Sequence, residues 1–552
     1  MTRLQTPHAR RAIWWIGWSC AAILFASCNR SEPIESAGPQ QPDAAQENAA
    51  AQEPEESRRV FPSPLAGSWY TADKQELADE IDGYLSKVSD ERLEEVCAVI
   101  LPHAGYRWSG PTAAHAVHQL RERSYRRVVT IGPSHRVPME NVASVPDFTH
   151  YATPLGEVPL DRRFIAELRK HPEFQNIPLA HEAEHSVQIE LPMLQRVLDD
   201  FQFVPIVVGE LDRPTLQRMG RILGGLIDSQ TLVVASSDFT HYGANFGYVP
   251  FSDDVPDRLK KLDEGAIDRL CKKDLDGLFD YIEETGTTVC GRYAIGVLLS
   301  MLPADAEVQR LHYDTSGRML GDFSSSVSYC ALAVSGTWPE AEPVAPAAEA
   351  AELGAADRER LLRLARASLT HVLENWEMPA ADELDVEITP AMSRICGAFV
   401  TLHKNGQLRG CIGEVFPCRP LYKCVMAQAV AAGLNDPRFP RVESSELDAI
   451  DFEVSVLTPP RDVASAAEIV VGTHGVVLKK AGRTALFLPQ VATEQGWDLE
   501  TMLTYLSQKA GLGGDAWREG ASFDVFEAVV FGEKETEEKS AEPAGKQGAA
   551  DG

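Results

Sequence analysis

Residues 96–106 read VCAVILPHAGY: six apolar residues in succession, then Pro102 and His103. A short unbroken run rich in Val and Ile suits a strand buried on both faces, as in a parallel sheet. The arrangement recurs. Arg127–Gly132 runs into Pro133-Ser134-His135, and Leu232–Ser236 runs into Ser237-Asp238-Phe239-Thr240-His241. Phe203–Val208 is another such run, and Ser326–Ser335 a later strand. Helical stretches separate them at Pro111–Arg121, His185–Leu198 and Arg213–Ile227. Strands alternating with helices imply an α/β fold with a largely parallel sheet. The carboxyl ends of such strands share one edge, and that edge builds the ligand site. His103, His135, Asp238 and His241 therefore converge on the pattern alone. The plain alternative for any one of these histidines is a cap or loop residue.

Two further segments fit the same edge. EAEHSVQIELP, residues 182–192, reads as a loop entering a helix, with Glu184 and His185 near its N-terminus. Capping and a favourable dipole interaction are the simple roles there. Cys290-Gly291-Arg292 opens the apolar helix 293–302. A thiol at a helix N-terminus is expected to have a lowered pKa, although a lone cysteine is more often a small buried apolar residue.

Working outward, the chain has 552 residues, 44% hydrophobic and 24% charged, enough for two to four domains with real cores. Its net charge of −29 makes nucleic acid a poor partner. Residues 1–28 carry a basic start, an apolar stretch at Ile13–Ala26 and Phe25-Ala26-Ser27-Cys28. That order reads as a lipoprotein-type signal peptide, with Phe25 departing from the usual Leu; an ordinary cleaved signal and an uncleaved anchor are the alternatives. It implies an extracytoplasmic protein, periplasmic in a Gram-negative cell, touching the membrane only through its lipid anchor. Residues 29–58 read as a flexible tether, 339–354 as an Ala/Pro/Glu-rich linker, and 533–552 as a disordered acidic tail. The folded units are then 59–338 and 355–532. Cys20 and Cys28 belong to the signal, and the remaining cysteines show no CxxC pair, so no disulfide is specified.

The second unit reads as α+β. The apolar run 394–403 ends at Lys404-Asn405-Gly406-Gln407, a two-residue hairpin signal, and returns as Leu408-Arg409-Gly410-Cys411-Ile412-Gly413. That turn sets Val400 opposite Cys411 and His403 opposite Leu408, which puts His403 and Cys411 on opposite faces. A distant residue such as His474 stays open as a partner for Cys411. Glu453–Leu457 and Thr484–Leu488 are further strands, and 357–375, 420–432 and 499–510 are helices.

AGSWY at 66–70, PHAGY at 102–106, GPSH at 132–135, EHSVQIELP at 184–192, SSDFTHYG at 236–243 and CGRYAIGVLL at 290–299 occur in one order. Together they resemble the Memo family, protein B of the AmmeMemoRadiSam system. The resemblance implies a fold similar to class III extradiol dioxygenases. It also implies a metal site at His103, His135 and Cys290, with Asp238 and His241 as further polar residues of the pocket. Non-haem iron oxygenases commonly use two His and one carboxylate. Cys290 takes the carboxylate's place here, so one ion of iron or copper is favoured and zinc also fits. His241 is then the acid/base candidate and Asp238 its orienting or water-binding neighbour. A purely structural metal site is the competing reading.

LRGCIG at 408–413, DPRFP at 436–440, FEVSVL at 452–457, THGVVL at 473–478 and FLPQVATEQGWD at 487–498 resemble the AMMECR family, protein A of the same system. Arg409 and Cys411 are the polar residues of that signature, and Cys411 is a weak catalytic candidate. The simpler reading of RGCIG is close strand packing around two glycines. The expected function is a metal-dependent redox protein, dioxygenase-like, acting on a peptide or small molecule. The alternative is a non-catalytic binding or scaffold protein that retains the pocket. The system's name implies a separately encoded radical S-adenosylmethionine partner; no CxxxCxxC motif occurs in this chain.

Overall fold

Four parallel strands form the centre of the first half, in the spatial order Val96–Leu101, Thr231–Ser236, Arg127–Pro133, Gln202–Val208. Nearly every residue in them is buried, which is why they read as continuous apolar runs rather than alternating ones. The computed structural model describes residues 58–339, 353–481 and 483–534. The signal-type segment 1–28, the tether but for Arg58, most of the linker 339–354 and the tail beyond Lys534 lie outside the described residues.

The flanks of this nine-stranded sheet are mixed. Ser325–Ser335 pairs antiparallel with Val96–Leu101, and Glu307–Thr315 pairs antiparallel with Ser325–Ser335. Helices Tyr106–His118, Arg213–Gly224 and Arg292–Met301 each bury an apolar side in the same core as the strands. Asp212 caps Arg213–Gly224, its carboxylate accepting from the Thr215 amide at 2.8 Å.

The helix read over His185–Leu198 is shorter than expected. It begins only at Leu191, and residues 186–190 form turns. The Glu184 carboxylate accepts from the amides of His185 and Ser186, at 2.8 and 3.0 Å. That side chain competes for the backbone donors a first helical turn would offer to capping or water.

The second half holds two antiparallel four-stranded sheets. One has the order Gln407–Glu414, Ala398–Lys404, Ile450–Leu457, Ala528–Gly532; helices Ala355–Asn375 and Leu421–Leu434 share its core. The other joins Arg461–Val463, Ser522–Phe526, Gly475–Lys480 and Arg483–Phe487, with helix Leu499–Lys509 in its core. Glu533 is ordered at the end of this half: its carboxylate accepts from Arg366 and from the Phe452 amide, the latter at 2.9 Å. The whole is the α/β architecture followed by an α+β half that the pattern and the resemblance imply.

The hairpin register differs from the simple count. Asn405 and Gly406 both adopt positive φ, 53° and 77°, as the tight turn requires. A bulge then intervenes between Leu402 and His403, so Thr401, not Val400, faces Cys411. Thr401 and His403 share a face by alternation, so Cys411 lies on the face that carries His403. The opposite-face argument fails because a bulge shifts every residue beyond it. No hydrogen bond joins His403 to Cys411; Thr401 Oγ1 donates to Cys411 Sγ at 3.3 Å.

Gly410 sits where this hairpin crosses helix Leu421–Leu434. A Cβ there would stand 2.1 Å from the Ala432 carbonyl oxygen. Gly410→Ala is expected to destabilise the second half by about 1–3 kcal/mol, since backbone must move to admit the methyl. Urea denaturation followed through this half measures it.

Candidate metal centre

Three neighbouring strands deliver the site. Val96–Leu101 leads to His103, Arg127–Pro133 to His135, and Thr231–Ser236 to Asp238. Cys290 comes from elsewhere, from the turn before helix Arg292–Met301. Gly291 lets that turn close on the strand end: a Cβ there would lie 2.4 Å from the Ser236 carbonyl oxygen. The Gly291 amide donates to Ser237 Oγ at 3.0 Å, and the Asp238 amide to Cys290 Sγ at 3.3 Å.

The nitrogen, nitrogen and sulfur donors of His103, His135 and Cys290 all lie within 4.8 Å of one another. His103 Nε2 is 3.1 Å from Cys290 Sγ. Its other nitrogen, Nδ1, is 2.7 Å from Ser236 Oγ. Ser236 donates its one hydroxyl proton to the Ser186 carbonyl at 2.5 Å, so toward His103 it accepts. His103 therefore carries its proton on Nδ1 and turns the Nε2 lone pair to the thiol. Burial, with the neighbouring histidines, holds its pKa well below the ordinary value and keeps the ring neutral.

His135 is arranged the same way by a different acceptor. Its Nδ1 meets Glu184 Oε1 at 2.9 Å, and its amide donates to Oε2 at 2.6 Å. Burial alone would raise the Glu184 pKa, yet hydrogen bonds and charge from His135 and His185 bring it down to about 2. Glu184 is thus a carboxylate with a fully buried side chain, and His135 Nε2 is left for a ligand. A backing carboxylate behind a ligating histidine is the usual way to fix its tautomer. Metal–ligand bonds of about 2.0–2.3 Å put donors roughly 3.4–3.7 Å apart in a tetrahedral site. With one donor pair at 3.1 Å and all three within 4.8 Å, the cluster lies near that spacing and needs side-chain adjustment to close on an ion.

Among the described residues, neither metal-capable group contains Asp238, His241 or Cys411. Asp238 lies behind the donors, its Oδ1 accepting from the His103 amide at 2.9 Å. Burial raises its pKa to about 7. His241 is partly buried; its Nδ1 meets the Thr288 carbonyl at 3.2 Å and its ring packs edge-on against Phe246. Cys290 departs from expectation. The proximity of a helix N-terminus was expected to lower its pKa, but burial first, and Asp238 beside it, push it up instead. Without a cation the thiol keeps its proton.

His185 and Glu184 are site residues that a capping role missed. His185 stacks between Trp69 and His135, with ring centroids 4.4 Å from each, and meets His103 edge-on at 5.2 Å. The second group of donors is His135, Glu184 and His185, but four N–H groups already occupy the Glu184 oxygens. The signal was the adjacent Glu-His in EHSVQIELP, which a helix-start reading absorbed.

In the second half, Arg409 is tied into structure. It donates to both Glu446 oxygens, at 2.9 and 3.2 Å, and to the Pro440 carbonyl at 2.8 Å. Cys411 donates its amide to Asp436, and burial raises its thiol pKa. His474 is occupied elsewhere, its Nδ1 accepting from the Val470 amide at 3.1 Å. Hydrogen bonds from Arg409 first, then Lys404, draw the Glu446 pKa from 4.5 to about 2. A depressed carboxylate stabilises the fold above its unfolded pKa and loses that contribution as pH falls toward the folded one. Stability of the second half is therefore expected to decline from about pH 4.5 toward pH 2, with Glu446→Gln removing part of that slope in urea titrations.

The family model described as "Memo-like protein" matches residues 62–333, and that described as "AMMECR1" matches 362–531. Residues of the first half are similar to Protein MEMO1 of Homo sapiens, 33% identical over 287 residues, covering 49% of this chain and 95% of the relative. They are similar too to a MEMO1 family protein of Thermococcus kodakarensis, 32% identical over 283 residues, covering 49% and 97%. An uncharacterized protein of Pyrococcus horikoshii, solved as a crystal structure, is 36% identical over 32% of this chain and 91% of its own, with a TM-score of 0.31.

Proposed function

The chain belongs to the Memo family and carries an AMMECR1 domain behind its Memo-like domain, and on that premise we propose that His103, His135 and Cys290 bind one metal ion for redox chemistry of the dioxygenase-like kind on a small molecule or peptide. The observation that carries this reading is the paired backing of the two histidines. Ser236 and Glu184 take both Nδ1 atoms, which leaves both Nε2 atoms for the space beside the Cys290 sulfur. Imidazole nitrogens with a soft thiolate suit iron or copper, and zinc also fits. Such an ion, when bound, supplies Lewis-acid or one-electron chemistry and draws Cys290 to its thiolate form.

The remaining work belongs to the chain. His241 moves a proton at its imidazole, with Nδ1 oriented by the Thr288 carbonyl. Asp238 holds the His103 backbone in register with the Cys290 turn. His185 packs against His135, and Trp69, stacked on the far face of His185, shields that side from water. We also read Cys28 as the lipid-bearing mature N-terminus and a separately encoded radical S-adenosylmethionine protein as the partner; mass spectrometry and co-purification test these.

Elemental analysis of protein purified without added metal tests the central claim. About one iron or copper per chain is expected. His241→Ala is expected to keep that metal while losing oxygen-dependent turnover. Binding of a peptide or protein that survives loss of His103 and His135 would instead favour the scaffold reading.

A further inference from the structure

The stretch that carries His135 is gripped by the other half of the chain. We propose that the AMMECR1 domain is a positioning element of the metal site, with Cys418 and Lys423 holding residues 134–141 in the shape that brings His135 to the ion. This rests on the metal reading above and adds a role for the second domain within it.

Residues 134–141 have little regular structure of their own. Within the first half they are pinned near their ends: the Ser134 amide donates to the Val208 carbonyl at 2.9 Å, and the Asn141 amide to the Glu210 carbonyl at 2.7 Å. They are pinned too at His135 and Met139, whose amide and carbonyl meet Glu184 and the Glu210 amide at 2.6 and 2.8 Å. Part of the middle is held from the second half. The Glu140 amide donates to the Cys418 carbonyl at 2.8 Å, a backbone bond between the halves. The Glu140 carboxylate pairs with Lys423, on helix Leu421–Leu434. Met139 and Val142, both buried, share one apolar cluster with Cys418, and Val137, Ile395 and Phe416 pack on it.

The same joint borders an open cleft of about 380 Å³, walled by His135, Arg136, Glu140 and Glu210 on one side and Arg419 on the other. His135 thus stands where the two halves meet, whereas His103 is buried within the first half alone. Glu184 fixes the His135 ring from inside, and the second domain fixes its backbone from outside. Preorganised ligands bind metal more tightly because their ordering precedes binding. Simple domain packing would account for stability, but it would not move the affinity or the spectrum of a bound ion.

The test uses the full chain and Co(II) as probe. Thiolate-to-cobalt absorption reports Cys290 ligation, and Cys290→Ser is expected to abolish it. Lys423→Glu and Glu140→Lys, both at part-exposed positions, are each expected to weaken Co(II) binding roughly 3- to 10-fold, less than the about 10- to 100-fold of a lost partner bonded directly to a ligating ring, because they act on the His135 segment's backbone. The exchange of both charges is expected to restore it. Cys418→Asp buries a charge in the joint and is expected to weaken binding on the order of 10-fold or more, with faster hydrogen exchange at the Glu140 amide. Asp462→Lys breaks the separate Arg59–Asp462 pair, 3.8 Å apart, and is expected to leave affinity unchanged. Wild-type affinity in both Lys423→Glu and Cys418→Asp overturns the proposal while the metal reading stands. A wild-type chain that binds no Co(II) overturns the metal reading, and this inference with it.

Discussion

The folded His103→Ala, His135→Ala double variant is expected to hold well below one metal ion per chain. Two of the three donor side chains vanish, and a lone Cys290 cannot replace them. Its thiol is pushed up by burial and by Asp238, so it has no reason to ionise without a cation close by. Neither nearby carboxylate is a ready substitute, and His185 with Cys290 gives at most two donors. Glu184 already accepts four N–H groups, and Asp238 Oδ1 is engaged by the His103 amide. The fold should survive, because both histidines follow the strands rather than forming their cores. Truncating His103, only 1% exposed, leaves a small polar cavity beside Ser236 that water can enter. Metal content by elemental analysis, with circular dichroism to establish folding, reads the outcome. Full occupancy in the folded double variant would remove the basis of the redox proposal and put the scaffold reading first.

The parallel centre of the first half was legible because Val96–Leu101, Arg127–Pro133 and Thr231–Ser236 are short runs rich in Val, Ile and Leu and each leads into a polar turn. Their adjacency in the sheet makes His103, His135 and Asp238 neighbours, which strand order alone could not specify. Cys290 was different. Nothing in periodicity brings it to that edge; only the resemblance did, and Gly291 explains how the chain gets there. The part hidden from local reading is non-local hydrogen bonding. Glu184 looks like a helix-start residue until His135, 49 positions away, claims its carboxylate. The bulge at Leu402/His403 is likewise silent in sequence, and it reverses the face on which Cys411 was placed. The thiol's pKa failed for a related reason: the helix dipole is visible locally, whereas burial by distant segments is not, and burial wins.

Glu184→Gln is expected to weaken metal binding about 10- to 100-fold, the usual effect of removing a carboxylate that backs a ligating histidine. The substitution keeps size and almost all packing, so the argument turns on protons. Oε1 accepts from His135 Nδ1, the His185 amide and the Ser186 amide; Oε2 accepts from the His135 amide. A carboxamide offers one acceptor oxygen and one donor group. With its oxygen at the Oε1 position, its NH₂ opposes the His135 amide, a contact of 2.6 Å in the native chain. Flipped, it opposes three donors. Neither arrangement is free of a buried N–H facing an N–H, and the side chain has no solvent exposure through which water might intervene. Losing a hydrogen bond to a charged acceptor costs about 1.5–3 kcal/mol, so the fold should weaken by an amount of that order. The loss falls on the segment that carries His135, whose ring then gains freedom and loses the carboxylate that backs its Nδ1 proton. Both changes disfavour the ion. Co(II) or copper titration beside urea denaturation separates them from general instability. Native affinity in a variant whose stability has dropped would show that Glu184 serves the fold alone.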